Sequence, residues 1–572
     1  MLPIVVRQAA ISHAAAAQNV LVQGGVNPYV AQALATRGVD QVDLAKGTYR
    51  LEPFTSLKGL HEMVKILVEA IERRVPMVVV ADYDCDGATA CTVAVTGLRA
   101  MGAQVDFVVP NRFTHGYGLT PDVVDLVRER FPKTRWIITV DNGIASIDGV
   151  KHANQHGMGV LVTDHHLPGK ALPDAAAIVN PNQPGCPFPS KNLAGCGVMY
   201  YVLAATRTAL ASRGGLPSNV NLGEWLDIVA LGTVADVVKL DANNRWLVRA
   251  GLANIRAGRA RPGLRALFDV SKRNPYRASS QDFGFSVGPR INAAGRLDDM
   301  SIGIRCLTAG GDQEAFDLAN DLFKLNEERK DIEKGMKEEA FTDIDLSGQE
   351  GCFTRVVFGE SFHEGVIGIV AGRIKEEANT PVVVFAPVRD GDATMIKGSA
   401  RSIPGLHLRD ALDLVHKRGD NLLVKFGGHA MAAGLTLKRD NLDRFTSLFE
   451  EAVREMMGGQ LQQKVITVDG ELPTEALTVE TAEALADQPW GQGFEVPLWT
   501  GQFEVLDARL VGQDQNHLKM TLGRDGETWS AMQFFTTEVP DQARVQVCYQ
   551  LSVNEFRGER TADLIVSDRR DT

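Results

Sequence analysis

Short apolar runs rich in Val and Ile alternate with helix-length segments through the first third of this chain. Strand-like runs occupy residues 77–82, 104–110, 136–141 and 160–164. Between them, residues 87–101, 121–131 and 144–156 have the length and spacing of helices. Continuous β-branched runs are typical of strands that are buried on both faces of a parallel sheet. The pattern therefore predicts an α/β fold with a doubly wound parallel sheet.

The pattern changes several times towards the C-terminus, which predicts further domains. The highly charged segment 312–341 has spaced apolar residues and predicts a long helix between two lobes. A second, smaller α/β unit begins near Cys352. After about Gln462 the runs become short and alternating, and the turn 523–526 separates two of them, which predicts a hairpin within an all-β barrel of the OB type. We expect these domains: an N-terminal helical segment 1–48, a catalytic domain 49–310, a linker helix 311–345, a second α/β domain 346–458 and a β-domain 459–572.

Composition places the chain among ordinary globular proteins. Of its 572 residues, 44% are hydrophobic and 23% charged, as in an ordinary soluble protein, and no apolar stretch reaches the roughly 20 residues needed to span a bilayer. The first 20 residues lack the pattern of a signal peptide. The seven Cys are scattered without a C-x-x-C pair, which favours reduced thiols in a cytoplasmic protein over a disulfide or zinc-finger framework.

Three of the predicted strands end in an aspartate. Asp82, Asp141 and Asp164 occupy these positions, and the sequence continues with Asp84 and Asp86 after the first and with His165 and His166 after the third. Ligands of parallel sheets bind at the carboxyl ends of the strands. A cluster of carboxylates and imidazoles is costly there unless cations neutralise it. The sequence therefore predicts a metal site and an enzyme.

The ligand types indicate phosphate-ester hydrolysis by a pair of cations. The aspartates provide enough oxygen ligands for two ions, and the adjacent histidines favour Mn²⁺ over Mg²⁺. Asp236 lies in the apolar run 230–238 and is a further candidate ligand, because a buried carboxylate needs a partner. Taken alone, Asp236 fits equally well as the last residue of a helix.

Charge and glycine content give weaker indications. The net charge of −11 argues mildly against nucleic acid as a partner. Eleven basic and only two acidic residues lie between Arg245 and Arg296, which fits a solvated basic face or, beside a metal site, a groove that follows phosphates. The Gly-rich segments 288–296 and 427–434 are either simple turns or anion cradles, and the polar loop 110–119 follows another strand end.

Four motifs in order resemble the DHH phosphoesterase superfamily. They are Asp-Tyr-Asp-Cys-Asp-Gly at 82–87, Val-Asp-Asn-Gly at 140–143, Thr-Asp-His-His at 163–166 and Gly-Thr-Val-Ala-Asp-Val-Val at 232–238. Segments 288–296, 363–373 and 427–434 resemble the RecJ family of bacterial single-strand-specific DNA exonucleases. The likeness extends from about residue 45 to the C-terminus. One departure is Cys85, where the family usually has Ala, and this thiol between two ligands could sensitise the site to oxidation.

The resemblance implies a DHH domain, a DHH-associated domain and an OB-like barrel that guides the strand, with Trp529, Phe534 and Phe556 as candidates for base stacking. It implies processive 5′-to-3′ hydrolysis of single-stranded DNA to mononucleotides with two divalent cations, Mn²⁺ or Mg²⁺, in recombination and repair. The implied metal ligands are Asp82, Asp84, Asp86, Asp141, His165, His166 and Asp236. Among them Asp141, His165 and His166 are the expected catalytic residues, with Asp141 bridging the ions and Asp164 supporting the histidines. The implied substrate contacts are Arg112, Tyr117, Arg290, Asn292, Arg296, Arg373, Ser399, Arg401, Gly428 and His429.

Two other functions fit part of the sequence. A DHH enzyme for oligoribonucleotides, cyclic dinucleotides or pyrophosphate would share the core but would be shorter and lack the barrel. A non-enzymatic scaffold of the replication-factor type would keep the fold and lose ligands, whereas every expected ligand position is filled here. The family resemblance further implies a cytoplasmic monomer that cooperates with single-strand-binding protein and a helicase, without a membrane.

Overall fold

A computed structural model describes residues 2–10, 13–39, 51–111, 115–217, 219–343, 351–388, 392–461 and 463–572. The chain divides into two compact units. The first unit contains residues 1–108, 118–288 and 465–572, and the second contains residues 109–117 and 289–464. In the described part of the chain, no helix has the length and apolar character needed to cross a bilayer.

A five-stranded parallel sheet forms the centre of the first unit. The first strand of the chain, β1 (Ile4–Val6), lies outside this sheet. The strands of the sheet are β2 (Met77–Ala81), β3 (Val105–Val108), β4 (Trp136–Val140), β5 (Gly159–Thr163) and β6 (Ala177–Val179). Their order is β3-β2-β4-β5-β6, and every neighbouring pair is parallel. The predicted doubly wound sheet is thus confirmed, and β6 is an edge strand that the sequence pattern did not reveal.

Helices cover this sheet because both of its faces are apolar. Val80 and Val162 of the strands pack with Val127 and Val150 of two helices in one buried cluster. The principal helices of the first unit are Ala14–Gln23, Pro28–Thr36, Leu60–Glu72, Cys85–Ala100, Pro121–Arg130, Ile147–Gln155, Gly195–Ser212, Leu226–Ala235, Ala242–Arg256, Pro262–Val270 and Val479–Ala486. The reversal of strand order between β3 and β4 leaves a crevice at the carboxyl end of β2, where ligands of such sheets bind.

The C-terminal part of the first unit is a closed five-stranded barrel. Its strands are β13 (Trp499–Val511), β14 (His517–Arg524), β15 (Glu527–Phe534), β16 (Arg544–Phe556) and β17 (Glu559–Asp571), in the order β13-β14-β15-β17-β16. The predicted hairpin is confirmed: Asp525 and Gly526 both have positive φ, as a two-residue hairpin turn requires. Trp499 and Tyr549 are fully buried in the barrel. Strand β12 (Ile466–Val468) pairs in parallel with β1, which joins the N-terminal segment to this region.

Several arginines of the basic stretch 245–296 hold the barrel region against the catalytic domain. Arg256 forms an ion pair with Asp487, and Arg277 forms one with Glu555. The guanidinium of Arg245 lies 4.5 Å from the centre of the Phe494 ring. These side chains make contacts within the first unit, so the basic stretch does not form one continuous phosphate-facing surface.

The second unit contains a five-stranded mixed sheet. Its strands are β7 (Arg355–Phe358), β8 (Val382–Pro387), β9 (Met395–Arg401), β10 (Lys425–Gly428) and β11 (Ala432–Lys438), in the order β10-β11-β9-β8-β7. Its helices are Gly288–Leu297, Ser301–Thr308, Asp312–Asp343, Ile367–Ala378, Leu408–Arg418 and Leu442–Met456. The predicted long helix is therefore present as Asp312–Asp343. Residues Phe385, Phe445 and Phe449 pack in the core between the sheet and its helices.

Candidate metal centre

The first carboxylates of the site lie in the tight connection between β2 and the helix Cys85–Ala100. Asp84 caps this helix: its carboxylate accepts a hydrogen bond of 2.9 Å from the Gly87 amide. Gly87 must be glycine here, because a Cβ would lie 2.5 Å from the carbonyl oxygen of Asp82. The motif Asp-Tyr-Asp-Cys-Asp-Gly thus brings three carboxylates into one turn.

Asp86 is held by a helix that is distant in sequence. Its two carboxylate oxygens accept hydrogen bonds from the backbone amides of Gly195, at 2.5 Å, and Cys196, at 3.0 Å. These amides are the first of the helix Gly195–Ser212, where unpaired N–H groups and the helix dipole favour a negative charge. Sequence reasoning missed this contact, and the small residues of Ala-Gly-Cys-Gly at 194–197 were its only signal.

Asp141 lies at the centre of the cluster. It follows β4 with a φ of 61°, a left-handed conformation that is uncommon for residues other than glycine. Its Oδ1 lies 3.1 Å from His165 Nε2, which in turn lies 3.4 Å from Asp236 Oδ2. All three atoms are buried and lack a hydrogen-bond partner among the described residues. Buried polar atoms need partners, and bound cations would supply them.

The seven predicted ligands come together in three overlapping groups. Asp141, His165 and His166 form one group. The other two are Asp86 with His165 and Asp236, and Asp82 with Asp84 and Asp141. Within each group the ligand atoms lie within 4.8 Å of one another. Asp141 and His165 each belong to two groups. The carboxylate oxygens and imidazole nitrogens could therefore coordinate more than one divalent cation.

Asp164 supports the histidines. Its Oδ1 accepts hydrogen bonds from the amides of His165 and His166 and lies 2.8 Å from His166 Nδ1, while Oδ2 accepts one from the Ile144 amide. Both oxygens of Asp164 are therefore occupied by protein donors. This arrangement fixes the imidazole of His166, as metal-binding histidines require.

Two asparagines that sequence reasoning missed hold the same backbone. The side-chain amide of Asn180 donates to the carbonyl of His166, and that of Asn182 donates to the carbonyl of His165. Both follow β6, so they lie at the end of another strand. Their signal was present as a polar Asn-Pro-Asn segment, but the three-residue strand before it was too short to recognise.

The protonation equilibria of the site reflect its burial and its like charges. Burial, reinforced by the neighbouring carboxylates, raises the pKa of Asp141 and of Asp236 well above the usual value, and that of Asp84 also rises. Burial would lower the pKa of His166, but the hydrogen bond to Asp164 raises it to about 9. Without cations, this cluster therefore takes up protons.

Asp164 and His165 shift in the opposite direction. Burial would raise the pKa of Asp164, but its hydrogen bond to His166 and the nearby positive charge lower it. Burial, together with the adjacent His166, lowers the pKa of His165. A neutral imidazole keeps a lone pair on one of its ring nitrogens, the form that binds a metal ion.

Cys85 is buried between the ligands. Its exposed fraction is 1%, and burial, followed by repulsion from Asp84 and Asp86, raises the pKa of its thiol well above the usual value. Only thiolates react readily with oxidants and thiophilic metals. This geometry argues against the sensitivity to oxidation that the sequence indicated.

The predicted substrate-binding residues described in the structure all lie in the second unit, whereas the predicted metal ligands all lie in the first. Arg112 lies outside the described residues. Tyr117 is about half exposed, between Gly116 and Gly118, which both have positive φ.

Ser399 and Arg401, two of the predicted substrate contacts, lie next to each other in the second unit. Both are on β9, and Arg401 Nη1 lies 3.1 Å from Ser399 Oγ. Both side chains lie against Gly368, in the first turn of the helix Ile367–Ala378: a Cβ on Gly368 would lie 2.9 Å from Arg401 Nη2 and 3.0 Å from Ser399 Oγ. Burial lowers the pKa of Arg401, and no carboxylate of the described residues forms an ion pair with it. A buried guanidinium and a hydroxyl beside a helix N-terminus suit a phosphate.

The first Gly-rich segment is a helix and not the cradle-like loop that the sequence indicated. Residues Gly288–Leu297 are helical, because the high helix propensity of Ala and Arg offsets the low helix propensity of the two glycines. Within this helix Arg290 is buried, and its guanidinium lies 5.5 Å from the centre of the Phe323 ring. Asn292 lies in the same helix, two residues further on. Arg296 donates to the carbonyl of Gly365 at 3.0 Å, which ties two motifs together.

The second Gly-rich segment is a tight turn between β10 and β11. Gly428 has a φ of 146°, and a Cβ there would lie 2.4 Å from the carbonyl oxygen of Ala432. His429 follows in the turn, and its amide donates to the same oxygen at 2.8 Å. Elsewhere in this unit, Arg373 Nε lies 3.2 Å from Glu333, so its guanidinium already has a carboxylate partner.

The aromatic residues of the barrel have different environments. Trp529 is buried, and its indole N–H donates to the carbonyl of Leu477, so it belongs to the core and not to a stacking surface. Phe534 and Phe556 are exposed, as stacking requires. Phe535 is more exposed still, and the rings of Phe534 and Phe535 both lie 5.3 Å from His517.

Three family models match the chain. The DHH family N-terminal domain matches residues 76–233, the DHHA1 domain residues 349–455 and the RecJ OB domain residues 468–568. The single-stranded-DNA-specific exonuclease RecJ of Salmonella typhimurium is 45% identical over 557 residues, which is 95% of each chain. Crystal structures of RecJ from Thermus thermophilus with Mn²⁺ and with Mg²⁺ align with TM-scores of 0.81 and 0.75, at 28% and 27% identity. Each alignment covers all of this chain, and 80% and 78% of the Thermus chains.

Proposed function

This chain belongs to the RecJ family of single-stranded-DNA-specific exonucleases, and from that membership we propose that it removes 5′-mononucleotides from single-stranded DNA in the 5′-to-3′ direction. The reaction depends on divalent cations, as the Mn²⁺ and Mg²⁺ complexes of a relative support. We further propose that two cations act together, because the seven ligands form overlapping groups.

The strongest support is a set of three buried atoms that have no hydrogen-bond partner in the described part of the chain, Asp141 Oδ1, His165 Nε2 and Asp236 Oδ2. A site designed only for stability would pair such atoms with protein donors. Here the fold instead places His165 Nε2 3.1 Å from Asp141 Oδ1 and 3.4 Å from Asp236 Oδ2. Bound divalent cations would lower the pKa of an attacking water and stabilise the leaving oxygen of a phosphodiester.

The chain's own residues orient these ligands. The helix N-terminus at Gly195 keeps Asp86 in place, and Asp84 is held by the cap it forms. Asp164 fixes the ring of His166 through Nδ1. Asp141, as the carboxylate that belongs to two groups, is the proposed bridging ligand.

The second unit contributes the proposed grip on the DNA backbone. Ser399 and Arg401 beside Gly368 are suited to hold a phosphate, because they combine hydrogen-bond donors with a positive charge. The remaining proposed contacts are Arg112, Tyr117, Arg290, Asn292, Arg296, Arg373, Gly428 and His429. The exposed Phe534 and Phe556 of the barrel would stack on bases further along the strand.

The direct test is digestion of single-stranded DNA that is labelled separately at each end, with Mn²⁺, Mg²⁺ or EDTA. We expect early release of the 5′ label as a mononucleotide, retention of the 3′ label in long fragments, and no cleavage in EDTA. The variant Asp141→Ala should bind the strand and fail to cleave it. Early release of the 3′ label would contradict the proposed polarity, and cleavage by Asp141→Ala would contradict the proposed centre.

A comparison of long single strands with dinucleotides separates this function from that of a DHH phosphodiesterase for short substrates. Such an enzyme would prefer dinucleotides, whereas the barrel at residues 499–571 favours a long polymer. A processivity assay on long strands against dinucleotides distinguishes the two. We also propose a role in recombination and repair as a cytoplasmic monomer acting with single-strand-binding protein and a helicase, which pull-down of these proteins from a cell extract would test.

A further inference from the structure

A second group of metal-binding side chains lies on two surface helices of the first unit. His152 and His156 are four residues apart at the C-terminal end of the helix Ile147–Gln155, and Asp125 lies on the helix Pro121–Arg130. One ligand atom from each of the three lies within 4.8 Å of the others. None of these residues belongs to the proposed catalytic centre or was predicted as a ligand.

The geometry suits a metal ion. Histidines four residues apart project from the same face of a helix, the spacing that zinc-binding helices use. The rings of His152 and His156 have centroids 4.5 Å apart. His152 Nε2 forms a hydrogen bond of 3.0 Å with Asp125 Oδ1, and this separation is close to the value of about 3.3 Å between two ligands of a tetrahedral ion with bonds of about 2.0–2.1 Å.

The two helices form a rigid support for these ligands. Val124 and Val127 of one helix pack with Val150 and Ala153 of the other in the buried cluster beneath them. The ligands therefore project from a packed helix pair and not from loops, so ion binding needs only side-chain rotation. The carbonyl end of the helix Ile147–Gln155 also favours a positive charge at His156.

We propose that Asp125, His152 and His156 form a separate surface site for a borderline transition-metal ion such as Zn²⁺. Two imidazoles and one carboxylate select such an ion over Mg²⁺, because imidazole binds Zn²⁺, Cu²⁺ and Ni²⁺ well and Mg²⁺ poorly. Three protein ligands leave the fourth position of a tetrahedral ion to water. By joining two helices, the ion stabilises the folded chain.

Arg128 competes with the ion for Asp125. Its Nη1 lies 2.8 Å from the same Oδ1 atom that approaches His152. An ion at this position must displace the guanidinium or share the carboxylate with it. Removal of the positive charge should therefore strengthen ion binding, which gives a variant expected to gain affinity.

The test uses equilibrium dialysis of the full-length protein against Zn²⁺, because the catalytic centre also binds ions and only the difference between variants is informative. We expect His152→Asn with His156→Gln to bind one Zn²⁺ fewer per chain than wild type, and to keep the Mn²⁺-dependent exonuclease activity. Arg128→Gln should bind this ion more tightly. The control is His407→Asn. This surface histidine lies 3.1 Å from Asp410 but belongs to none of the metal-binding groups found among the described residues, so the variant should bind as much Zn²⁺ as wild type does.

A second measurement separates ion loss from misfolding. Zn²⁺ should raise the thermal midpoint of wild type more than that of the double variant, with each increase measured from the same protein's own midpoint in EDTA. Equal Zn²⁺ stoichiometry in wild type and the double variant, or equal stabilisation by Zn²⁺, would overturn the proposal.

Discussion

Gly195 offers the sharpest test of how the catalytic centre is built. A Cβ at this position would lie 2.6 Å from the Cβ of Asp141 and 2.8 Å from its Oδ1. Carbon atoms that are not bonded pack at about 3.5–4.0 Å, so Asp141 must move by about 1 Å in Gly195→Ala. Because the Ala amide still donates to Asp86, the variant changes the position of Asp141 and keeps that hydrogen bond.

The expected effect is much larger on catalysis than on folding. Overpacking of this kind costs about 1–3 kcal/mol of folding free energy. A displacement of about 1 Å at a reacting group can lower the rate by about 100-fold. We expect kcat on end-labelled single-stranded DNA to fall by about that factor, with a weaker response to Mn²⁺ and unchanged affinity for DNA.

The matched control is Gly197→Ala in the same helix. There the added Cβ would lie 3.1 Å from Leu193 Cδ2, at the end of a flexible side chain, and at ordinary contact distance, 3.8 Å, from Leu247 Cδ1. This variant should keep wild-type kcat and Mn²⁺ dependence. If Gly195→Ala cleaves DNA and responds to Mn²⁺ as Gly197→Ala does, Asp141 does not depend on the close approach of this helix, and our account of the centre is wrong.

Four further variants test individual features. Asp141→Asn should retain less than about 1% of the exonuclease activity, since even residues that only hydrogen-bond to metal ligands contribute about 10–100-fold. In EDTA the thermal midpoint of this variant should rise above that of wild type, because burial and like charges raise the pKa of Asp141 and its charge therefore opposes folding. A lower midpoint would contradict this. Asp164→Asn should lose most stability in EDTA between pH 3.8 and 6.5. In that range the lowered pKa of Asp164 and the raised pKa of His166 both stabilise the wild-type fold, and the contribution of His166 is lost as the pH rises from 6.5 to about 9; urea midpoints that differ equally at pH 5 and pH 10 would refute this pairing. Cys85→Ala should cleave at the wild-type rate, and mass spectrometry should find this thiol of the folded wild type unmodified by iodoacetamide; rapid modification would contradict its raised pKa. Phe534→Ala should bind long single strands about 10-fold more weakly by fluorescence anisotropy at an unchanged thermal midpoint, and unchanged affinity would remove it from the DNA path.

Local patterns were sufficient to predict the sheet and the acidic cluster. Strands β2, β4 and β5 are continuous apolar runs because they are buried on both faces, and each is followed directly by an aspartate. Parallel pairing then places the three aspartates at one edge of the sheet without any knowledge of tertiary contacts. The barrel hairpin was equally local, since its turn requires the positive φ that Asp525 and Gly526 adopt.

Contacts between distant segments could not be predicted in this way. The hydrogen bonds from Gly195 to Asp86 join residues 109 positions apart, and nothing near Asp86 in the sequence announces them. Arg256 and Arg277 illustrate the same limit, because their carboxylate partners lie far along the chain in the barrel region. The sequence of the basic stretch alone therefore could not show which of its residues face solvent and which contact the barrel region.

The conflict between stability and activity explains why these distant contacts exist. A cluster of carboxylates in which burial raises the pKa of Asp141 and Asp236 opposes folding at neutral pH until cations bind. The fold offsets part of this cost with the positive ends of two helices, which begin at Cys85 and Gly195 and hold Asp84 and Asp86. Among the described residues, the inner atoms Asp141 Oδ1, His165 Nε2 and Asp236 Oδ2 have no hydrogen-bond partner; protein donors there would stabilise the empty site and compete with the ions. Metal binding and folding should therefore be coupled, with each divalent ion raising the stability that the acidic cluster lowers.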